Sequence, residues 1–140
     1  MSDTTGRTQG AGYEIGVSKT VPYPVADVWE LITSPEGIAL WLGEGADLTP
    51  TRGAPYRTAD GTVGEVRGYR ELDRVRVTAR PAGWDHDTTM QVTVSASGPG
   101  RTQVRFHQEW LAGPEERVRQ RAHWKDVMAA VERALAAPNE

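Results

Sequence analysis

The sequence is poor in several features, and each absence narrows what the protein can do. There is no cysteine among the 140 residues, which excludes disulfides and thiolate metal sites. A chain without cysteine fits a reducing compartment, and we expect the protein to be cytoplasmic. No stretch approaches the roughly 20 consecutive apolar residues of a membrane-spanning helix. We therefore predict no membrane partner.

Lysine is also scarce. Only Lys19 and Lys125 accompany fourteen arginines, and the formal net charge is −3. A general nucleic-acid-binding protein carries a strongly basic surface, so no nucleic-acid partner is predicted. Arg74, Arg76 and Arg80 would form a basic face on one strand, but no aromatic side chains interleave with them as single-strand binding requires. A solvated sheet surface is the simpler interpretation.

A long amphipathic helix is predicted at the C-terminal end of the chain, from residue 114 to residue 137. Pro114 suits the first helical position, where its missing N–H would be unpaired in any case, and Pro138 would end the helix. A single helix of this kind buries its apolar stripe against a sheet. The residues that recur at helical spacing are Trp124, Val127, Met128, Val131, Ala134 and Leu135.

The rest of the chain predicts strands interrupted by two short helices. Residues 1–12 are polar and rich in glycine and threonine, and we expect a disordered leader followed by a single domain over 13–138. Helical spacing predicts short helices over 25–32 and 35–42, the second capped by Ser34. The turns between the later strands are short, which favours antiparallel neighbours. Alternation of apolar and polar residues predicts strands at 14–21, 54–58, 62–69, 74–80, 89–95 and 104–110.

Several segments resemble one family of helix-grip proteins. They are residues 24–37 (PVADVWELITSPEG), Trp41, 60–61 (DG), 64–66 (GEV), 81–84 (PAGW) and 102–110. Together they resemble the START/SRPBCC superfamily, and within it the bacterial subgroup similar to the activator of heat-shock protein 90 ATPase. The resemblance implies an α+β helix-grip fold. In that fold a curved antiparallel sheet of about six strands wraps around the long C-terminal helix, with two short helices after the first strand.

The same resemblance implies a cavity between the sheet and the last helix. With the strand phases above, the walls of this cavity would be mostly apolar, the usual character of a small-molecule site. A core filled by the same side chains is the alternative. The candidate ligand-binding residues are Trp41, Tyr56, Val77, Met90, Val92, Phe106, Gln108, Trp110, Arg117, Arg121, Trp124 and Met128.

Two arginines would give this cavity a cationic end. Arg117 and Arg121 continue the apolar stripe of the helix toward its N-terminus. Their guanidinium groups are suited to bidentate binding of a carboxylate or phosphate. The alternatives are pairing with Glu109 or other nearby acids, or extension into solvent.

Sequence motifs for catalysis, cofactors or metals were not found. His86, His107 and His123 lack the H-x-x-x-H or H-x-H spacing of metal ligands. There is no nucleophile elbow and no phosphate-binding glycine loop. We therefore predict no cofactor, no metal and no catalytic residue. The strand phases also place Glu65, His107 and Glu109 outside the cavity, which argues against an enzyme.

The leading hypothesis is the binding of a small hydrophobic molecule, with or without an anionic group, between the sheet and the C-terminal helix. A cyclase or dehydratase activity on polyketide-type substrates in the same cavity is one alternative. Another is protein interaction, through a chaperone or as a homodimer, with an exposed tryptophan such as Trp84 as the contact.

Overall fold

The computed structural model describes residues 7–8 and 12–137. Its elements are β1 (Arg7–Thr8), β2 (Gly12–Val21), α1 (Val25–Thr33), α2 (Pro35–Trp41), β3 (Pro55–Arg57), β4 (Val63–Arg70), β5 (Arg74–Ala79), β6 (Thr88–Ala96), β7 (Thr102–Leu111) and α3 (Pro114–Ala136). All these strands pair antiparallel in one sheet, in the order β1-β2-β7-β6-β5-β4-β3. The predicted helix-grip fold is confirmed.

Strand β1 lies in the segment predicted as a disordered leader. Arg7 pairs with Tyr13, and Thr8 pairs with Gly12. Strand β2 accordingly begins at Gly12, two residues before the predicted start. Residues 1–6 and 9–11, to which the prediction of disorder also applied, lie outside the described residues.

The short helices begin where the sequence predicts. The Ser34 side-chain oxygen accepts a hydrogen bond from the backbone N–H of Gly37 at 3.0 Å and so caps α2. Gly37 also permits close packing of α2 on α1, because a Cβ at this position would lie 1.7 Å from the carbonyl oxygen of Leu31. The two helices therefore form one compact corner after β2.

The core lies between α3 and the concave face of the sheet. Helix α3 buries Trp124, Val127, Met128 and Val131. The ring of Trp124 stacks on that of Phe106, with centroids 5.1 Å apart. The facing strands bury alternate side chains, as their patterns predict: Val75, Val77, Ala79, Met90, Val92, Val94, Val104, Phe106 and Gln108.

The alternation breaks at the end of β7. Tyr13 pairs with Leu111 but Ile15 pairs with Gln108, so β7 contains one extra residue at this point. Trp110 has a φ of 67°, and 47% of the residue is exposed, whereas Leu111 is buried. The prediction that Trp110 faces inward is therefore wrong, because a period of two does not continue across a β-bulge.

Candidate functional site

A buried polar network joins the sheet to α3. The side-chain oxygen of Gln108 accepts hydrogen bonds from Trp124 Nε1 at 2.9 Å and from Gln120 Nε2 at 2.8 Å. Gln108 Nε2 donates to the Thr88 hydroxyl at 3.0 Å, which in turn donates to the carbonyl of Ala79 at 2.7 Å. Both polar atoms of the fully buried Gln108 amide are thus bonded within the protein.

The predicted ligand-binding residues fall into buried and exposed groups. Arg117 is half-buried, and its Nε donates to the backbone carbonyl of Glu14 at 2.7 Å. Arg121 and Trp110 are exposed. The buried residues are Trp41, Tyr56, Val77, Met90, Val92, Phe106, Gln108, Trp124 and Met128. The expectation that two guanidinium groups face the sheet is wrong for Arg121, which lies at the margin of the stripe and extends into solvent.

Gln120, on the opposite margin of the stripe, is the inward-facing residue that the sequence interpretation missed. It precedes Trp124 by four residues, so both side chains lie on the same side of α3. The signal for its inward position is a polar residue four positions before a buried tryptophan, on a helix that faces a strand with an inward glutamine.

Glu109 does not pair with Arg117 or Arg121. Its carboxylate bonds Arg76 at 2.9 Å. His107, on the same outer face of the sheet, lies 3.3 Å from Glu14 and 3.8 Å from Glu109. These side chains lie on the face opposite Gln108, as their strand phase predicts.

Four grooves formed by residues 12–137 lie around the margin of the sheet–helix interface. The first, called the His123 groove, has a volume of about 320 Å³ and is the only one of the four lined by a predicted site residue, Trp41. The others, of about 420 to 570 Å³, lie at the start of α3, between α1 and the end of α3, and between α1 and the end of β4. The lining residues of the His123 groove are Ala39, Leu40, Trp41, Leu42, Gly43, Glu44, Ala59, Asp60 and His123.

The turn between β3 and β4 forms one wall of the His123 groove. The backbone N–H of Ala59 donates to the carbonyl of Glu44 at 2.7 Å, which fastens the turn to the end of α2. The Thr58 hydroxyl donates to the Asp60 carboxylate. That hydrogen bond is the main cause of the lowered pKa of Asp60, so this wall carries a negative charge at neutral pH.

His123 supplies the titratable group on the α3 side of the groove. Its ring packs edge-on against Trp124, with centroids 5.0 Å apart, while part of the residue remains exposed. Burial of the packed ring lowers the pKa of His123, although the charge of Asp126 opposes the shift. The lowered pKa favours the neutral imidazole near pH 7, the form that can accept a proton from a bound molecule.

A second cluster joins the β5–β6 loop to the start of α3, and we call Asp85, His86 and Glu116 the His86 clasp. His86 Nδ1 lies 2.8 Å from Asp85 Oδ1, and His86 Nε2 lies 2.8 Å from Glu116 Oε1. The pKa of His86 is raised, chiefly by the hydrogen bond with Asp85 and further by Glu116. The same bond lowers the pKa of Asp85.

Within residues 7–8 and 12–137, no three His, Asp or Glu side chains converge in a way that suits a metal ion. In the same part of the chain, no helix combines the length and apolar character needed to cross a bilayer.

Comparison with known families identifies the chain. The family model described as Activator of Hsp90 ATPase homolog 1-like protein matches residues 22–136. The chain belongs to this family. A search of curated proteins found no match.

Solved structures share the fold of this Hsp90 ATPase activator-like chain. DynU16, from the dynemicin biosynthetic locus, is 26% identical with a TM-score of 0.75, and the match covers 89% of this chain but only 47% of DynU16. An HSP90 activator from Plasmodium falciparum is 14% identical with a TM-score of 0.72, over 91% of this chain and 99% of that chain. The Aha1 dimer from Colwellia psychrerythraea is 15% identical with a TM-score of 0.68, over 87% and 95%. Family and fold together support a ligand-binding fold.

Proposed function

We propose that this chain binds a small, largely apolar molecule in the His123 groove, beside the sheet–helix core. The observation that carries the proposal is the lining of the groove. An apolar wall formed by α2, including Trp41, faces a few polar groups, among them His123 and Asp60. Small-molecule sites commonly combine apolar walls with a few placed polar groups, and about 320 Å³ lies at the lower end of their usual volume.

The charges near the groove favour an uncharged ligand. The acidic residues Glu44 and Asp60 are among those that line it, while Arg117 is bonded to the backbone carbonyl of Glu14 and Arg121 is exposed. A negative ligand would approach two like charges, which is unfavourable. Binding of an anionic molecule therefore remains a separate prediction, which depends on Arg121.

Two fluorescent probes of similar shape separate these ligand classes. N-phenyl-1-naphthylamine is uncharged, whereas 8-anilino-1-naphthalenesulfonate adds a sulfonate. We expect saturable binding of the uncharged probe and at least about tenfold weaker binding of the sulfonate, a difference of about 1.4 kcal/mol. The opposite order, together with loss of sulfonate binding in Arg121→Ala, would favour the anionic prediction instead.

A groove-filling variant locates the binding site. Ala59 lines the groove and is exposed, so Ala59→Trp should place an indole in the site and weaken binding of N-phenyl-1-naphthylamine at least about tenfold. Ala122→Trp is the matched control, because Ala122 is exposed on α3 beside His123 but does not line the groove. Equal affinity in the two variants, or no saturable binding by the wild type, would reject the proposal.

Acid–base catalysis in the same groove is a second candidate, favoured by the neutral imidazole of His123. The likeness to a protein of the dynemicin biosynthetic locus is compatible with a biosynthetic step. A neutral imidazole with a lowered pKa is suited to accept a proton from carbon. Ring opening of 5-nitrobenzisoxazole reports such proton abstraction. We expect a rate above buffer that rises with pH through the His123 titration and is lost in His123→Gln; a rate equal to that of the variant would exclude this role.

Self-association is a separate proposal, supported by the exposure of Trp110 and by the dimer of the related Colwellia protein. Trp84, which the sequence predicted as an exposed contact, is half-buried and stacks on His86. Sedimentation equilibrium of the wild type and Trp110→Ser tests it. A wild-type monomer at all concentrations would dismiss it.

A further inference from the structure

We propose that the His86 clasp is a proton-operated latch, which holds the β5–β6 loop against α3 when His86 is charged and releases the loop when His86 loses its proton. The statement that this latch controls access to the His123 groove rests on the proposed function. The existence of the latch does not.

The geometry of the clasp requires a doubly protonated ring. Each ring nitrogen of His86 lies 2.8 Å from a carboxylate oxygen, one from Asp85 and one from Glu116. An ionised carboxylate only accepts hydrogen bonds, and a neutral imidazole has a single N–H. When the proton leaves, one contact is lost and a ring lone pair faces a negative oxygen. Only the imidazolium satisfies both carboxylates.

The surroundings of His86 favour its charged form. On its own loop, the facing charge is Asp85, while Arg80 beyond it is paired with Asp87 at 3.1 Å. From α3, Glu116 faces the ring. The positive charge of Arg80 is partly offset by Asp87, and two carboxylates touch the ring directly, so the pKa of His86 lies above its ordinary value.

One further contact holds each side of the clasp in place. On the helix side, Glu116 Oε1 accepts a hydrogen bond from the backbone N–H of Ala112 at 3.0 Å, which fixes the carboxylate at the start of α3. Within the loop, Trp84 stacks on the His86 ring with centroids 5.3 Å apart. Opening the clasp separates the imidazole from Glu116, and the half-buried indole stacked on it is expected to move with it.

The clasp and the His123 groove lie along one side of α3. Glu116 and His123 are seven residues apart, close to two full turns, which places their side chains on the same side of the helix about 10 Å apart along its axis. Gln120 lies between them and bonds the interior Gln108. Release at Glu116 would therefore loosen the edge of α3 that continues into the groove.

The loop also supports the opposite wall of the groove. Arg80 exchanges backbone hydrogen bonds with Val63, at 2.8 and 3.2 Å, so the start of the loop is joined to the start of β4. A Cβ on Gly61 would lie 3.1 Å from the Cβ of Ala82, which shows how closely the loop rests on the β3–β4 turn. Ala59 and Asp60 of that turn line the groove. Through the β5–β6 loop, the clasp thus connects α3 on one side of the groove with the β3–β4 turn on the other.

The direction of the pH dependence follows from the raised pKa. A histidine whose folded-state pKa is raised above the ordinary value of about 6.5 stabilises the bonded state fully below about pH 6.5. This contribution is lost as the pH rises through the folded-state pKa. The latch is closed at mildly acidic pH and opens toward alkaline pH.

Two measurements on the full chain test the latch. NMR of the histidine ring resonances gives the titration midpoint of His86, and hydrogen–deuterium exchange of residues 81–87, corrected for intrinsic rates, gives the opening equilibrium. We expect opening to increase about tenfold from pH 6 to pH 8 with the midpoint of His86. His86→Gln, which can donate to one carboxylate but does not titrate, should remove this dependence. His107→Gln, on the outer face of the sheet, should leave it unchanged.

Glu116→Gln separates a charge effect from a structural one. The glutamine oxygen can still accept from Ala112 and from His86, but the negative charge is gone, so the His86 midpoint should fall by about one pH unit. An unchanged midpoint, or loop protection that is equal at pH 6 and pH 8, would overturn the latch.

Stopped-flow association of N-phenyl-1-naphthylamine tests the link to the groove. We expect association at pH 8 to be several times faster than at pH 6, and equally fast at both in His86→Gln. Equal wild-type rates, with loop opening detected by exchange, would overturn control of access. Absence of probe binding would reject the proposed function, while the NMR and exchange results would still decide the latch.

Discussion

Gln108 shows how one buried side chain can fix the position of a helix. Its amide oxygen receives hydrogen bonds from Gln120 and Trp124, one turn apart on α3, and its amide nitrogen bonds Thr88 on the neighbouring strand. An apolar residue would fill the same volume but would accept small rotations of the helix. The network therefore specifies which side of α3 faces the sheet.

Replacing this glutamine by leucine tests the role. Gln108→Leu leaves the buried indole N–H of Trp124 without its acceptor, and we expect the free energy of unfolding to fall by about 1–3 kcal/mol. Urea denaturation measures it. Gln103→Leu, at an exposed position on the same strand, is the control and should change stability by less than about 0.5 kcal/mol. Equal effects would mean that the network contributes nothing.

At position 110, a glycine should give a more stable protein than an alanine. At a φ of 67°, a residue with a Cβ is strained by about 1 kcal/mol relative to glycine. We expect Trp110→Gly to be more stable than Trp110→Ala by about this amount in urea denaturation. The reverse order is expected for Gln103→Gly and Gln103→Ala in the regular part of β7. If alanine is the more stable residue at both positions, the left-handed conformation is not maintained in solution.

These residues also mark the limits of prediction from the sequence. The inward position of Gln108 follows from alternation along a regular strand. The outward position of Trp110 does not, since the extra residue of a bulge leaves no mark in a pattern of apolar and polar residues. Arg121 lies within the predicted sector but reaches solvent. A long side chain at the margin of an apolar stripe can turn either toward the sheet or toward solvent, and its position in the sequence does not determine which.

At the scale of elements, a glycine in β4 lets three strands be joined by one side chain. Tyr56 of β3 donates its hydroxyl hydrogen to the carbonyl oxygen of Thr78 in β5 at 2.6 Å, across the intervening β4. A Cβ on Gly64 would lie 1.9 Å from that oxygen and 2.8 Å from the tyrosine hydroxyl. Burial raises the pKa of Tyr56, so the hydroxyl stays protonated and remains a hydrogen-bond donor at neutral and mildly alkaline pH.

Two glycines of the same strand provide a matched test. Gly64→Ala must displace the Tyr56 hydroxyl or the backbone of β5, and we expect a loss of about 1–3 kcal/mol in the free energy of unfolding. Gly68 faces open space apart from Arg76 Cβ, 3.8 Å away, so Gly68→Ala should be neutral or slightly stabilising. Thermal unfolding followed by circular dichroism compares them. Similar losses at both positions would contradict the bridging role of Tyr56.

The elements themselves are predictable where local chemistry decides them. Ser34, Pro35 and Pro114 mark helix starts through capping and the missing proline N–H, and the structure begins α2 and α3 at the two prolines. The two-residue β1 was not predicted, because two residues carry no period. Its formation depends on the neighbouring β2 and not on its own pattern.

At the scale of the whole molecule, the histidines predict opposing effects of pH on stability. The raised pKa of His86 means that its stabilising contribution is lost as pH rises through the folded-state value. The lowered pKa of His123 has the opposite sign, since the unfolded chain binds the proton more tightly and stability is lost as pH falls below about 6.5.

Removing one histidine should therefore expose the effect of the other. We expect the free energy of unfolding to rise with pH between about 5.5 and 7.5 in His86→Gln and to fall with pH in His123→Gln, with the wild type between them; these limits lie about one pH unit on either side of an ordinary histidine pKa. Urea denaturation at a series of pH values gives the slopes. Parallel slopes in the two variants would show that neither ring is coupled to folding as described.

The general plan of the molecule follows from periodicity and from the resemblance of residues 24–37, but the site does not. Which side of α3 borders a groove depends on contacts among the β3–β4 turn, the β5–β6 loop and α2, and these segments are far apart in the sequence. The roles of Glu116, Gln120 and His123 on α3 become apparent only when those segments are placed beside the helix. Loop positions are set by such tertiary contacts, which no local pattern records.

The pairing of β2 with β7 has a consequence for synthesis of the chain. Val21 pairs with Thr102, which the ribosome adds about 80 residues later, and at roughly 5–20 residues per second this interval lasts about 4–16 s. During that time β2 has no partner on the side that β7 will occupy, and an unpaired strand edge invites pairing with other chains. Slower translation would prolong this exposure. The yield of native protein should therefore depend on the elongation rate, and not only on the stability of the folded protein.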